Sequence, residues 1–292
     1  MEKKILVYGA GTIGTYLGTK LKDAGFDVIL HGRKRLNAMN EIIHINDEPE
    51  THLPKKSENI TDEHFDILFV TTKLYDLSEV LKEIKDNNIT YDIIVFIQNG
   101  IISDEILKDI EKKKIVLVSI SEGYSISGND KIVAQKNNQG WHIDTNIGGP
   151  TIKGVLDKAG ILGKIDTDFS RVKAEKMIVN CSVSALSVID DKTISELLEN
   201  PTDRARVIDL IDETYNVLSM KYLMPVLEEV REKVLKLLAS NGAHYPSLYQ
   251  DFKRNKKTEI DYFNGQIVKW AKEENIPVPV SELVLKEYKD RE

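Results

Sequence analysis

The apolar run Lys4-Ile-Leu-Val-Tyr8 passes directly into Gly9-Ala-Gly11-Thr-Ile-Gly14, and Thr12 to Ala24 carries a helical pattern. A short buried strand, three glycines at this spacing and a helix opening on them dictate one local shape. Gly9 permits the tight turn, Gly11 lets the backbone approach a diphosphate, and Gly14 allows close helix–strand packing. The amides around Thr12 and Ile13, at the positive end of the helix, then face the phosphates of a dinucleotide. The alternative is a glycine-rich turn with no ligand, which position, spacing and context together disfavour.

The pattern continues through the first half. Asp27–His31, Asp66–Val70, Asp92–Ile97 and Lys114–Ser119 are short, rich in β-branched residues and apolar nearly throughout. Such runs suit a parallel sheet covered on both faces. Helical candidates lie between them, at Leu77–Asp86 and Ser103–Lys112. Strand–helix alternation of this kind predicts a doubly wound α/β domain of Rossmann type. From Ser119 to about Ile147 the chain turns polar and glycine-spaced, and Lys131–Ala134 and Gly140–Asp144 are expected to extend the sheet as antiparallel strands. A helix and a short strand near Gly163 follow.

Beyond Arg171 the pattern is helical almost to the end, over 171–190, 193–199, 203–221, 225–240, 247–255, 258–275 and 281–290. Pro201, Pro225, Pro246, Pro277 and Pro279 fall between or at the starts of these segments, where proline is tolerated. The expected division is therefore a dinucleotide-binding domain over 1–168 and an all-helical domain over 169–292.

Charge narrows the function classes. Asp and Glu outnumber Lys and Arg by 47 to 40. That balance disfavours a dedicated nucleic-acid binder, which needs an excess of cations against phosphate. Cys181 is the only cysteine, so neither an intrachain disulfide nor a multi-cysteine metal site can form. No metal is expected: the six histidines show no HExxH pattern, and Gly160–Lys164 lacks the spacing of a P-loop. The apolar stretch at the start is too short for a signal peptide, and no run approaches the ~18 residues of a membrane span. A soluble cytoplasmic protein that binds no membrane is expected.

The second strand bears on cofactor choice. It ends His31-Gly32-Arg33-Lys34-Arg35, three cations where an NAD site usually carries a carboxylate for the ribose hydroxyls. Guanidinium and ammonium groups pair with a 2′-phosphate that a carboxylate would repel. NADPH is the cofactor this favours over NADH, with a solvated basic loop as the alternative.

Three features in the rest of the chain can carry chemistry. Lys176, Asn180 and Ser184 recur at i, i+4 and i+8 in an otherwise apolar predicted helix, so they share one face. Buried polar groups need partners; this face either lines a cleft, or it is a surface stripe or an internal hydrogen-bond network. Ser247 and Lys257-Thr-Glu259 stand at predicted helix starts, where Thr258 would cap and Glu259 would favour the positive helix end. Gln98-Asn99-Gly100 follows a strand, where ligands of open α/β sheets bind and where ordinary turns also occur.

Taken in order, the GxGxxG loop, Thr72-Lys73, the Gln-Asn-Gly turn, the Lys-x3-Asn helix and Lys257-Thr-Glu-Ile-Asp-Tyr-Phe-Asn-Gly265 resemble the ketopantoate reductase family over nearly the whole chain. The resemblance implies a Rossmann domain and a helical domain, with NADPH and a 2-oxo acid in the cleft between them. It implies reduction of 2-dehydropantoate to pantoate on the way to pantothenate. By position, Lys176 corresponds to the family's general acid and Glu259 to a carboxylate that contacts the substrate. Asn99, Asn180, Ser184 and Ser247 fall at substrate-binding positions, and Gly9, Gly11, Thr12, Ile13, Gly14, Arg33, Lys73 and Asn99 at cofactor-binding ones. Ser184 replaces a second asparagine, and Ile101-Ile-Ser follows the Gln-Asn-Gly turn where the family carries glycine. A reductase of a different 2-oxo acid and a non-catalytic NADP(H)-binding regulator are the rival readings, and a homodimer is the assembly left open.

Overall fold

The computed structural model describes residues 3–32, 34–240 and 242–292, with the side chains of Lys34 and Arg35 left out of account. The chain forms two compact units, Met1–Phe169 and Ser170–Glu292.

In the first unit the strands are β1 (Lys4–Tyr8), β2 (Asp27–His31), β3 (Ile42–Ile45), β4 (Thr51–His52), β5 (Lys55–Ser57), β6 (His64–Val70), β7 (Thr90–Phe96), β8 (Ile115–Ile120), β9 (Gly123–Ser127), β10 (Lys131–Gln135), β11 (Trp141–Ile143) and β12 (Gly163–Ile165). The helices are α1 (Thr12–Asp23), α2 (Lys34–Ala38), α3 (Leu77–Asp86), α4 (Asp104–Leu107) and α5 (Gly149–Lys158). The main sheet runs β12-β11-β8-β7-β6-β1-β2-β5. From β5 to β8 every pair is parallel. The first strand therefore lies centrally, with β2 on one side and β6 on the other. This is the Rossmann order, and the reversal beside β1 opens a crevice at the carboxyl ends of the strands. Ile5, Leu6, Val7, Leu68, Phe69, Ile94 and Val95 are sealed from solvent, as a sheet covered on both faces requires.

Two expectations fail in this unit. β11 does extend the main sheet antiparallel to β8. The preceding segment, however, forms β9 and β10, which leave the main sheet and join a second one of order β4-β3-β10-β9. Burial in β10 alternates strictly between exposed and buried residues, which suits a sheet with one wet face rather than a doubly covered one. Tyr124 on β9 fastens this small sheet, its ring 4.7 Å from that of Tyr16 on α1 and its hydroxyl accepting from Trp141 Nε1 at 3.0 Å. The helix expected over 103–112 shrinks to α4. It buries no residue, so no tertiary contact offsets the cost of helix initiation.

The second unit is helical: α6 (Phe169–Asp190), α7 (Ile194–Glu199), α8 (Pro201–Ser219), α9 (Leu227–Ser240), α10 (Ser247–Lys253), α11 (Asn264–Glu274) and α12 (Pro279–Lys289), with no strand among its described residues. From Cys181 to Ile189 every residue of α6 is buried, the mark of a helix surrounded by others. The packing helices start where local chemistry dictates. Thr193 and Glu196 form a capping box before α7. Asn200 caps α8 through the amides of Thr202 and Asp203, with Pro201 in the first turn. Among the described residues no helix is long and apolar enough to cross a membrane, and no group of three or more His, Cys, Asp or Glu side chains could hold a metal ion.

Candidate active site

In the first unit the glycine loop has the geometry that its three positions require. Gly9 has φ +117°, a conformation that L side chains resist, and its amide donates to His31 O at 2.9 Å. A Cβ on Gly14 would lie 1.8 Å from Gly9 O, whereas one on Gly11 would meet nothing within 4 Å. Helix α1 carries no side-chain cap and no acidic residue in its first turn. An uncapped positive helix end beside open space at Gly11 fits a diphosphate.

Two further loops gather at the same strand ends. Thr71, just past β6, donates from its amide to Tyr8 O at 2.9 Å and from Oγ1 to Gly9 O at 2.9 Å. Gln98, past β7, donates from Nε2 to Val70 O at 2.8 Å and to Thr72 O at 3.2 Å. The glycine loop, Thr71–Lys73 and Gln98–Gly100 are thus tied together at the carboxyl ends of β1, β6 and β7. Thr12, Ile13, Lys73 and Asn99 are half-buried here, and Gly100 closes its turn with φ +76°. Thr71 was not among the expected residues; a hydroxyl directly after a buried strand was its only signal. Arg33 lies outside the described residues.

In the second unit the polar positions of α6 form one wall. At ~100° per residue Lys176, Asn180 and Ser184 fall within a sector of about 80°, and Lys173 falls inside it as well. Lys173, Lys176 and Asn180 are half-buried, while Ser184 is only 2% exposed. Lys173 went unread in the sequence although its i, i+3 relation to Lys176 was visible there.

Glu259 joins this wall by a route other than the expected one. Helix α11 begins only at Asn264, and a 3₁₀ turn over Ile260–Tyr262 precedes it. Thr258 therefore caps no helix. Its Oγ1 accepts from Tyr288 Oη of α12 at 2.9 Å, and Asn264 Nδ2 donates to Cys181 O of α6 at 3.0 Å. These two anchors hold the intervening turn and bury Glu259, which is 4% exposed.

The wall is strongly polarised. Burial pushes Lys176 down to about 8, opposed by the charge of Glu259. Burial pushes Lys173 down to about 7, aided by repulsion from Lys176 and opposed by Glu259. An ammonium whose proton burial loosens and whose charge a carboxylate favours can give up that proton during a reaction and stabilise charge developing on oxygen. Ser247 is exposed on the first turn of α10, and that helix is tied beyond the C-terminal end of α6 by the hydrogen bond from Tyr249 to Asp191.

The sequence matches the family described as "Ketopantoate reductase PanE/ApbA" over residues 5–146 and its C-terminal counterpart, "Ketopantoate reductase PanE/ApbA C terminal", over 168–292. The chain belongs to the ketopantoate reductase family. It is 28% identical to the 2-dehydropantoate 2-reductase of Archaeoglobus fulgidus, across 97% of this chain and 96% of the relative. Among solved structures, a PanE/ApbA family ketopantoate reductase from Ralstonia eutropha JMP134 superposes with a TM-score of 0.86 at 21% identity, covering 98% of this chain and 97% of the other. D-mandelate dehydrogenase, solved with NADH and anilino(oxo)acetate, superposes with a TM-score of 0.85 at 21% identity, covering 98% and 97%. These two likenesses bear on the fold.

Proposed function

We propose that this ketopantoate reductase family member reduces a 2-oxo acid to a 2-hydroxy acid with NADPH, and that its substrate is 2-dehydropantoate, converted to pantoate on the route to pantothenate. The observation that carries the reading is the shared face of Lys176, Asn180 and Ser184 on α6 together with the buried Glu259, 4% exposed, whose charge favours the ammonium form of Lys176. The curated relative of like length, itself a 2-dehydropantoate 2-reductase, supports the choice of substrate.

Unit Met1–Phe169 serves as the NADPH-binding domain. The first-turn amides of α1, with Gly11 leaving the approach open, would receive the diphosphate, and Lys73 and Asn99 at the neighbouring strand ends would help to hold the cofactor. Arg33, by its charge and its place after the second strand in the sequence, would pair with the 2′-phosphate. When bound, NADPH supplies the hydride for the ketone carbon. Unit Ser170–Glu292 supplies the rest. Lys176 Nζ donates a hydrogen bond to the ketone oxygen and gives it a proton as negative charge develops, leaving a neutral amine. Asn180, Ser184 and Ser247 orient the substrate through hydrogen bonds, and Glu259 keeps Lys176 charged and accepts from a substrate hydroxyl.

The test is NADPH oxidation against a panel of 2-oxo acids that includes 2-dehydropantoate, with NADPH and NADH affinities measured by fluorescence titration. Highest kcat/KM for 2-dehydropantoate and tighter NADPH binding are expected. Preferred turnover of another 2-oxo acid would reassign the substrate. Cofactor binding without turnover of any of them would make the chain a non-catalytic nucleotide-binding protein.

A further inference from the structure

Two carbonyls at and just past the end of β6 face one side-chain amide. Gln98 Nε2 donates to Val70 O at 2.8 Å and to Thr72 O at 3.2 Å, and the residue is only 5% exposed. Both neighbours are acceptors, so the nitrogen end of the amide must face them, and its two hydrogens serve one carbonyl each. A carboxylate offers no donor at this place, and a hydroxyl offers one.

The two bonds differ in what they hold. Val70 O also accepts from Ile97 N at 3.0 Å, continuing the pairing of β6 with β7, so the sheet itself fixes that carbonyl. Thr72 lies two residues past the strand, beyond the ladder. Its carbonyl belongs to the peptide that enters Lys73. On the far side, Lys73 O accepts from Asp76 N at 3.1 Å, where a 3₁₀ turn over Leu74–Asp76 begins. The Lys73 backbone, extended at φ −68° and ψ 156°, is thus held by Gln98 on one side and by that turn on the other. Gln98 itself immediately precedes Asn99, so one buried side chain joins the two strand-end loops that carry Lys73 and Asn99.

We propose that Gln98 is a positioning residue for the NADPH site: by holding Thr72 O, its amide sets the Lys73 backbone from which the lysine serves the cofactor. This assignment rests on the NADPH-binding function proposed above and adds to it a residue that acts through Lys73. A specific coupling follows. The contribution of Gln98 to NADPH affinity exists only while the Lys73 side chain is present, whereas a residue that merely packs the strand ends contributes whether or not the lysine is there.

The experiment titrates NADPH by fluorescence against the wild-type protein, Gln98→Met, Lys73→Ala and the double variant, with a thermal melt of each. Methionine keeps the length of the buried side chain and removes both donors. One neutral hydrogen bond corresponds to roughly 2- to 10-fold in affinity. Gln98→Met should weaken NADPH binding by that factor, Lys73→Ala should weaken it by more, and the double variant should bind as Lys73→Ala does. Unchanged affinity in either single variant overturns the assignment. So does a double variant whose loss is the product of the two single losses, which would mark a packing role. Should Gln98→Met fail to fold, the isosteric Gln98→Glu decides. Ionised, the introduced carboxyl turns acceptors toward both carbonyls; protonated, it donates one hydrogen bond. Its NADPH affinity relative to wild type should therefore be low at pH 8.5 and recover toward pH 5.5, and a ratio independent of pH overturns the proposal. A wild-type protein that binds no NADPH defeats the cofactor reading itself. NADPH binding that Gln98→Met leaves intact defeats only the role of Gln98.

Discussion

Glu259 supports the charge of Lys176 across a fold that brings the turn before α11 against α6, and it does so against the burial that drives the proton off. The sign of the pH dependence follows. The proposed reduction uses the protonated lysine, so kcat should fall as pH rises through the pKa of Lys176, about 8 in the free protein. Removing the carboxylate removes support for the ammonium form, so Glu259→Gln should move the falling limb to lower pH. Rate profiles between pH 5.5 and 9.5 check this, and an unmoved limb or one displaced upward contradicts the pairing.

The glycine loop separates binding from folding. Gly11 has an ordinary extended backbone, φ −77°, and a Cβ there meets nothing. Gly11→Ala should therefore leave the melting temperature nearly unchanged while weakening NADPH binding at least tenfold, because the methyl occupies the diphosphate approach. Gly14→Ala places a Cβ 1.8 Å from Gly9 O, so it should lower the melting temperature as well. Thermal melts beside NADPH titration distinguish the two, and equal effects on stability would refute the division of roles.

The parts of this fold legible in the sequence are those set by local sterics and continuous burial. Gly9, Gly11 and Gly14 announced the loop because few other residues fit it, and β1, β2, β6, β7 and β8 announced themselves as apolar runs. The small sheet did not: β10 reads as a strand, but β3, β4 and β9 are short, and the two local pairs β3–β4 and β9–β10 become one sheet only through the long-range pairing of β3 with β10. Lys176 and Asn180 were visible by helical spacing. Glu259 stands out only through family resemblance, and its local setting differs from the expected helix start: Thr258 to Phe263 continues a helical pattern, and the turn exists because Thr258 and Asn264 bond to α12 and α6. Local sequence carries no record of such distant partners. Lys173 was legible by spacing, and only its burial beside Lys176 gave the spacing meaning.

A stability prediction rests on α12. Glu213, on α8, accepts from the amides of Val280 at 2.8 Å and Ser281 at 2.7 Å, capping that helix from another element. Loss of a cap costs about 0.5–2 kcal/mol, so Glu213→Ala should lower the melting temperature by roughly 2–8 °C. Glu213→Gln keeps one acceptor oxygen and should lose about half as much. Differential scanning calorimetry is the check, and equal melting of Glu213→Ala and wild type would show that the cap contributes nothing.

The three polar residues of the wall should fail in a fixed order. Lys176→Ala removes the proposed proton donor, and general acid catalysis is worth ~10²–10⁴-fold, so kcat should fall by at least two decades. NADPH affinity should hardly change, because the cofactor groups belong to the other unit. Glu259→Ala removes a substrate contact and should act mainly by raising KM, beyond its effect on the pH profile. Ser184→Ala deletes one neutral hydrogen bond, about 0.5–1.5 kcal/mol, so its loss should stay within roughly tenfold. Steady-state kinetics with the preferred 2-oxo acid rank the three. The ordering is more diagnostic than the sizes, because it follows from the role proposed for each group: one moves a proton, one holds charge and substrate, one orients. Near-normal kcat in Lys176→Ala would show that the proton comes from another group, whatever the fold.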